Sequence, residues 1–290
     1  MSRRPRDAFL GSEAVAAGLV TRAQLRSPGY RRLLRGVYVD ARTPVDHELR
    51  CRAALLAAPD SVVTGRSAAW LWGARTAVTT WGPVSTGRPP EASSRSRRGV
   101  SSRRPVLEVS DVTSCRGIPT TTTVRTAWDI GGTSSIEDAV PVLDEMLHRD
   151  LVTSDAVARY AAGRPGAPGV ARVRRALALA DAGAESPPES RVRLALTLAG
   201  LRPQTQVEVR DGHGRFVARV DLGYGEERVA VEYDGGWHAE PGQLSRDRAR
   251  LNALQAAGWT VVFVTAPDLR DLPAVVDRVR RALDRTRPPA

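Results

Sequence analysis

Alternation of apolar and polar positions is clearest between Phe216 and Asp234. Phe216, Ala218, Val220 and Leu222 share one face of a first strand, with Val217, Arg219 and Asp221 on the other. On a second strand Val229, Val231 and Tyr233 oppose Ala230, Glu232 and Asp234. The intervening Gly-Tyr-Gly-Glu-Glu supplies a turn, so the spacing predicts a hairpin on which Asp221, Glu232 and Asp234 project together. The pattern then becomes helical. Leu251, Leu254 and Ala257 form a stripe closed by Gly258, a residue suited to a left-handed C-cap. Thr260 to Thr265 reads as a short apolar strand, and Asp268 to Arg285 as a helix covering the sheet through Leu272, Val275, Val276, Val279 and Leu283.

Upstream, Ser12 is placed to cap a first short helix, and Thr21 with Gln24 makes a capping box for a second. Tyr30 to Leu34 reads as one more helical turn, and Gly36 to Asp40 alternates as a strand. This order predicts a small winged helix-turn-helix over residues 1–45. Residues 46–182 read as a mixed α/β scaffold. It has helices over His47 to Ala58, Ser67 to Trp72, Thr123 to Ile130, from Ser135, from Thr153, and over Val170 to Asp181, with strands at Val62–Val63, Val106 to Val109 and Gly117 to Thr121. Trp70, Trp72 and Trp81 read as core, with base stacking as the other use of such rings. Residues 88–105, with six arginines among serine, glycine and proline, read as an exposed loop: a phosphate contact or a solvated segment. Residues 183–290 form the last predicted domain, opening on a helix capped by Ser186, with prolines 187 and 188 in its first turn and Glu189 as the capping-box acid. The fold class expected is α/β, of the mixed α+β kind.

Composition changes this picture in one respect. The 290 residues, 42% hydrophobic and 26% charged, describe an ordinary globular chain, long enough for two or three cores. No apolar run reaches a membrane span, and no signal-peptide core follows the N-terminal arginines, so the expectation is a cytoplasmic protein without a membrane partner. Cys51 and Cys115 stand apart, indicating buried thiols rather than a metal site or a disulfide framework. The formal net charge is +11, and every one of the 43 basic residues is arginine. Residues 1–182 carry 27 arginines against 17 acids, and residues 183–290 carry 16 against 15. A basic front beside a near-neutral, carboxylate-bearing rear suits a protein that holds a polyanion with one region and acts on it with another. Solubility together with genome composition explains the same arginines without a polyanion.

Carboxylates gathered on a hairpin repel unless protonated, paired with a base or bridged by a divalent cation. Oxygen donors of this kind suit Mg²⁺ or Mn²⁺ in phosphodiester chemistry, while a merely wet sheet face is the plain alternative. The run VDLGYGEERVAVEYDGGWH, followed by RDRARLNALQAAGWTVVFV, resembles the very-short-patch-repair-like branch of the PD-(D/E)xK nuclease superfamily. The resemblance covers about the last hundred residues. It implies a restriction-endonuclease-like α/β sandwich that cleaves DNA, with Asp221 and Glu232 as metal ligands and His238 activating or positioning water. An acid on the first helix commonly completes such a site, and Glu189 stands there, with Glu185 as a substitute; a capping box alone also explains Glu189. Gln206 lines the site, and Arg219, Asp247 and Arg250 support it or contact substrate, unless Asp247 and Arg250 form a structural salt bridge.

One departure is chemical. The motif lysine is absent and Asp234 occupies its place, so His238 or a second metal would have to handle protons that arginine cannot accept. The segment ending RRLLRGVYVD resembles the N-terminal domain of AbiEi-type antitoxins. That resemblance covers about 45 residues and implies DNA binding through Arg22, Arg26, Arg31, Arg32 and Arg35, to which the loop would add Arg97 and Arg98. Three functions stay open at this stage. They are a metal-dependent endonuclease in phage defence or DNA repair, a non-catalytic DNA-binding regulator partnered by a cognate toxin or defence protein, and a protein-interaction module.

Overall fold

The computed structural model describes residues 7–79, 81–89, 97–235 and 243–286, with the side chains of 243–247 excepted. In chain order the elements are β1 (Phe9–Leu10), α1 (Gly11–Ala16), α2 (Arg22–Leu25), β2 (Tyr30–Leu34), β3 (Val37–Asp40), α3 (His47–Ala57), β4 (Val62–Val63) and α4 (Gly65–Trp72). There follow β5 (Val84–Gly87), β6 (Val100–Arg103), β7 (Val112–Cys115), β8 (Ile118–Thr121), α5 (Thr123–Thr133), α6 (Ile136–His148), α7 (Ser154–Ala162) and α8 (Val170–Leu179). The last are α9 (Pro187–Leu198), β9 (Gln204–Arg210), β10 (Phe216–Tyr224), β11 (Val229–Asp234), α10 (Gln243–Ala256), β12 (Thr260–Thr265) and α11 (Leu272–Thr286). The fold is mixed α/β. It divides into two compact units, residues 1–133 with 149–173, and residues 134–148 with 174–290. Among the described residues no helix is long and apolar enough to cross a membrane.

In the first unit α1 and α2 precede a hairpin, the order expected of a winged helix-turn-helix. The predicted capping box holds α2: Thr21 Oγ1 accepts Gln24 N–H, and Gln24 Oε1 accepts Thr21 N–H. Two details differ from the sequence reading. Tyr30–Leu34 is a strand, paired antiparallel with β3 in a sheet ordered β1-β3-β2. Val37 and Val39 are fully buried on β3, and Gly36, at φ 83°, makes the tight return that a third helical turn would have prevented. Helix α1 begins at Gly11 without a side-chain cap from Ser12. Gly11 lies so close to Tyr38 that a Cβ there would meet the ring at 2.7 Å.

The same unit holds a five-stranded sheet ordered β6-β5-β4-β8-β7. Cys51, Ala54, Val63, Leu71, Val84 and Ile118 form its buried cluster, with Trp70 and Trp72 packed against it. Trp81, expected in the core, is 71% exposed. Val106 to Val109 is not a strand, and both valines are exposed; the strand lies six residues later at Val112–Cys115. Val100–Arg103 of the arginine-rich segment does pair, parallel to β5, because a sheet edge needs only backbone groups from its neighbour. Both cysteines are buried thiols.

The second unit is built on a four-stranded sheet ordered β12-β11-β10-β9, in which β9, β10 and β11 are antiparallel and β12 runs parallel to β11. One face packs on α9 and α11 through Val192, Leu196, Leu222, Val231, Val264 and Val279. The other meets α10 and Trp259 through Val209, Ala218, Val220, Ala230 and Leu254. Gly258 ends α10 at φ 81°, as the C-cap reading requires. Helix α6 belongs to this unit. Its fully buried Asp144 accepts Arg193 Nη2 of α9 at 2.8 Å and the backbone N–H of Asp181 at 2.8 Å.

Candidate active site

The site forms where β10 and β11 part. Their ladder runs from Tyr224–Val229 to Leu222–Val231. Beyond it β10 pairs with β9, and β11 with β12. Asp221 sits at the fork, and its Oδ2 accepts the N–H of Tyr233 at 3.0 Å, standing in for a ladder carbonyl. The pleat changes phase here. Val220 packs toward Leu254 and Trp259, whereas Leu222 packs toward Val192 and Leu196. The expected common face of Ala218, Val220 and Leu222 is therefore broken at Asp221. Across from it, Gln206 lies between Thr205, the partner of Leu222, and Val207, the partner of Val220, and adopts φ 51°. A non-glycine residue in the left-handed region inside a strand stores on the order of 1 kcal/mol and marks a local kink.

Glu189 reaches this kink from the first turn of α9. Its Oε1 accepts the Ser186 hydroxyl at 2.6 Å, and its Oε2 accepts Glu185 N–H at 3.0 Å and Gln206 Nε2 at 3.4 Å. The capping box and the approach to the sheet are thus one arrangement. Burial raises the pKa of the Glu189 carboxyl above its usual value, the Ser186 hydroxyl opposes that, and the negative charge of Asp221 adds to it. Asp221 is likewise raised, first by burial and also by Glu185, while Tyr233 N–H, Arg250 and Arg219 pull it down. Glu185 itself pairs with Arg219 Nη2 at 3.0 Å.

Glu232 is buried, and Arg250 of α10 holds it. Nη1 reaches Oε2 at 2.7 Å, Nη2 reaches Oε1 at 2.6 Å, and Nη2 also donates to the carbonyl of Arg219 at 2.7 Å. The guanidinium therefore bridges the two diverging strands, filling the gap left where their ladder ends. Asp234 is exposed at the end of β11, beside Thr265 of β12. His238 and the side chain of Asp247 lie outside the described residues. Among the described residues no group of three or more His, Cys, Asp or Glu side chains is placed to hold a metal ion. Glu189, Gln206 and Asp221 come together; Glu232, Arg250 and the Arg219 carbonyl form a second cluster. Two participants had no sequence signal as such: Ser186 reads only as a cap, and the Tyr233 N–H is backbone.

In the first unit, Arg22 on α2, Arg26 at its C-terminus, Arg31 and Arg32 on β2, and Arg35 in the turn are all exposed. Arg31 Nη2 is anchored by the carbonyls of Thr43 at 2.7 Å and Ala41 at 3.3 Å. Arg97 bridges to Val100, and Arg98 is exposed.

No family model matches the chain. Two curated proteins of Mycobacterium tuberculosis are each 36% identical to it over 152 residues: uncharacterized protein MT2308 of strain CDC 1551 / Oshkosh and uncharacterized protein Rv2248 of strain H37Rv. The match covers 51% of this chain and 56% of each relative, so the chain spans little more than half the length of the curated relatives it matches. Among solved structures, the RV2827C protein from Mycobacterium tuberculosis is similar over 71% of this chain and 80% of its own, with 17% identity and a TM-score of 0.41.

Proposed function

We propose that the C-terminal unit hydrolyses phosphodiester bonds in DNA, using one divalent cation held by Glu189 and Asp221. The observation that carries this reading is the meeting of two half-buried carboxyls, both raised in pKa, at a fork in the sheet. A divalent cation would neutralise such a pair. The donors fit Mg²⁺ or Mn²⁺, which needs one or two carboxylates and takes water and phosphate oxygens for the rest. Both oxygens of Glu232 are already engaged by Arg250, which disfavours it as a ligand. When bound, the ion would polarise the phosphate and activate water.

The chain's own residues set up the remainder. Gln206 and Ser186 fix the rotamer of Glu189, and the Tyr233 N–H fixes Asp221. Arg219 and Arg250 add positive charge beside the fork, where a scissile phosphate would lie. His238, four residues past Asp234 in sequence, is the side chain that the sequence supplies for taking the proton of the attacking water. The basic front would bind the same DNA, in phage defence or repair.

One observation favours a second reading. The bidentate hold of Arg250 on Glu232, together with an aspartate at the motif's lysine position, suits a non-catalytic DNA-binding regulator of antitoxin type that keeps the fold. Nicking of supercoiled plasmid separates the two. The nuclease nicks in Mg²⁺ or Mn²⁺, does not in chelator, and is inactive as Asp221→Asn. A folded parent that binds DNA and cuts no single-stranded, duplex or branched substrate is the regulator.

A further inference from the structure

A cleft of about 280 Å³ in the first unit has a composition that nothing at the carboxylate site explains. Arg31 and Arg32 of β2, Arg50 of α3 and Arg98 line it, and among the described residues no acidic side chain does. Its floor is apolar, formed by Leu34, Ala53, Val84 and Val100. Trp81 stands at its edge, 71% exposed. A large aromatic left in water is unusual, and this one is not adrift. The Arg50 guanidinium lies 5.9 Å from its ring centroid and donates to its carbonyl at 3.5 Å, which fixes the segment while leaving most of the indole open. Arg32 and Arg98 make no ion pair with any described residue.

Arg32 and Arg98, exposed on this lining, select an anion, and Arg prefers phosphate for its planar fork. An apolar floor beside an exposed indole selects a flat aromatic group. The volume admits one such group and not a duplex. We propose that this cleft binds one unpaired nucleotide, with its base stacked on Trp81 and its phosphate on Arg32 and Arg98. Bases in a duplex already stack on each other, so a protruding indole recognises a base that has no partner. Arg50 positions the platform, and Arg31, tied to Thr43, shapes the wall. The ligand is either a nucleotide within a single strand or a free mononucleotide. The inference does not rest on the hydrolytic reading of the other unit, because it concerns binding without metal.

The test uses the full chain in chelator and a fluorescein-labelled oligothymidylate, followed by anisotropy. Trp81→Ala should weaken binding by about tenfold, the cost of one lost base stack, and Trp81→Phe should restore most of it. Arg32→Ala and Arg98→Ala should each lower the slope of log affinity against log salt by about 0.7. Affinity for a duplex of the same length should not respond to Trp81→Ala. Competition then assigns the source: displacement by thymidine 5′-monophosphate as effective as by unlabelled strand assigns the cleft to the free nucleotide, and displacement by strand alone assigns it to a strand. The proposal fails if the parent binds neither ligand, if Trp81→Ala binds them as the parent does, or if that variant loses single strand and duplex alike.

Discussion

Arg250 and Glu232 form a bidentate pair across the point where β10 and β11 separate, with the carboxylate side chain 8% exposed and the guanidinium 41% exposed. Two charge-assisted hydrogen bonds and a third to the Arg219 carbonyl make this the clamp of the fork. The asymmetry in exposure predicts asymmetric costs. Arg250→Ala strands a buried carboxylate and a strand carbonyl and should cost about 2–3 kcal/mol. Glu232→Ala leaves a guanidinium that can turn to water and should cost less. Urea unfolding of both single variants and the double variant checks the order and the coupling.

Acidity at Glu189 predicts an inverted pH response. Its folded pKa lies above the ordinary value, so the folded chain binds the proton more tightly than the unfolded chain. The stability this gives is present below the unfolded pKa and is lost as pH rises through the folded one. Glu189→Gln, which does not titrate, should therefore gain on the parent steadily as pH is raised from about 4 toward 7. Any fixed cost of the new amide against Glu185 N–H shifts both ends equally. Unfolding midpoints across that range measure the slope.

His47 should act in the opposite direction. It is buried, bonded through Nε2 to Ser67 Oγ at 2.8 Å and packed on Trp70, and burial lowers its pKa from 6.5 to about 4. The unfolded chain takes up this proton first, so stability falls as pH drops from 6.5 toward 4, by about 3 kcal/mol in all. His47→Asn should flatten that part of the profile.

The buried pair Asp144–Arg193 fastens α6 to α9 and so supports the helix that carries Glu189. Asp144→Ala would leave an arginine with 6% exposure unpaired and should cost about 3–5 kcal/mol in urea unfolding.

Most of the element order was legible, because period-two runs such as Val229–Asp234 and caps such as Thr21–Gln24 and Ser186–Glu189 are local signals. What escaped depended on partners distant in sequence. Val100–Arg103 is polar and becomes a strand only because β5 offers an edge; Trp81 reads as core until α3 and β5 leave it outside. At the site, strict alternation put Asp221 and Glu232 side by side. A phase change at Asp221, matched by the positive φ of Gln206, sends one to Glu189 and the other to Arg250. No pattern of apolar residues announces that kink, since Val220 and Leu222 are both buried, on opposite faces.

Mn²⁺ titration by calorimetry decides whether Glu189 and Asp221, rather than Glu232, hold the cation. The parent and Glu232→Gln should bind, and Glu189→Gln and Asp221→Asn should not, all four remaining folded. No binding by the parent, or loss in Glu232→Gln with binding kept in the other two, would contradict that assignment.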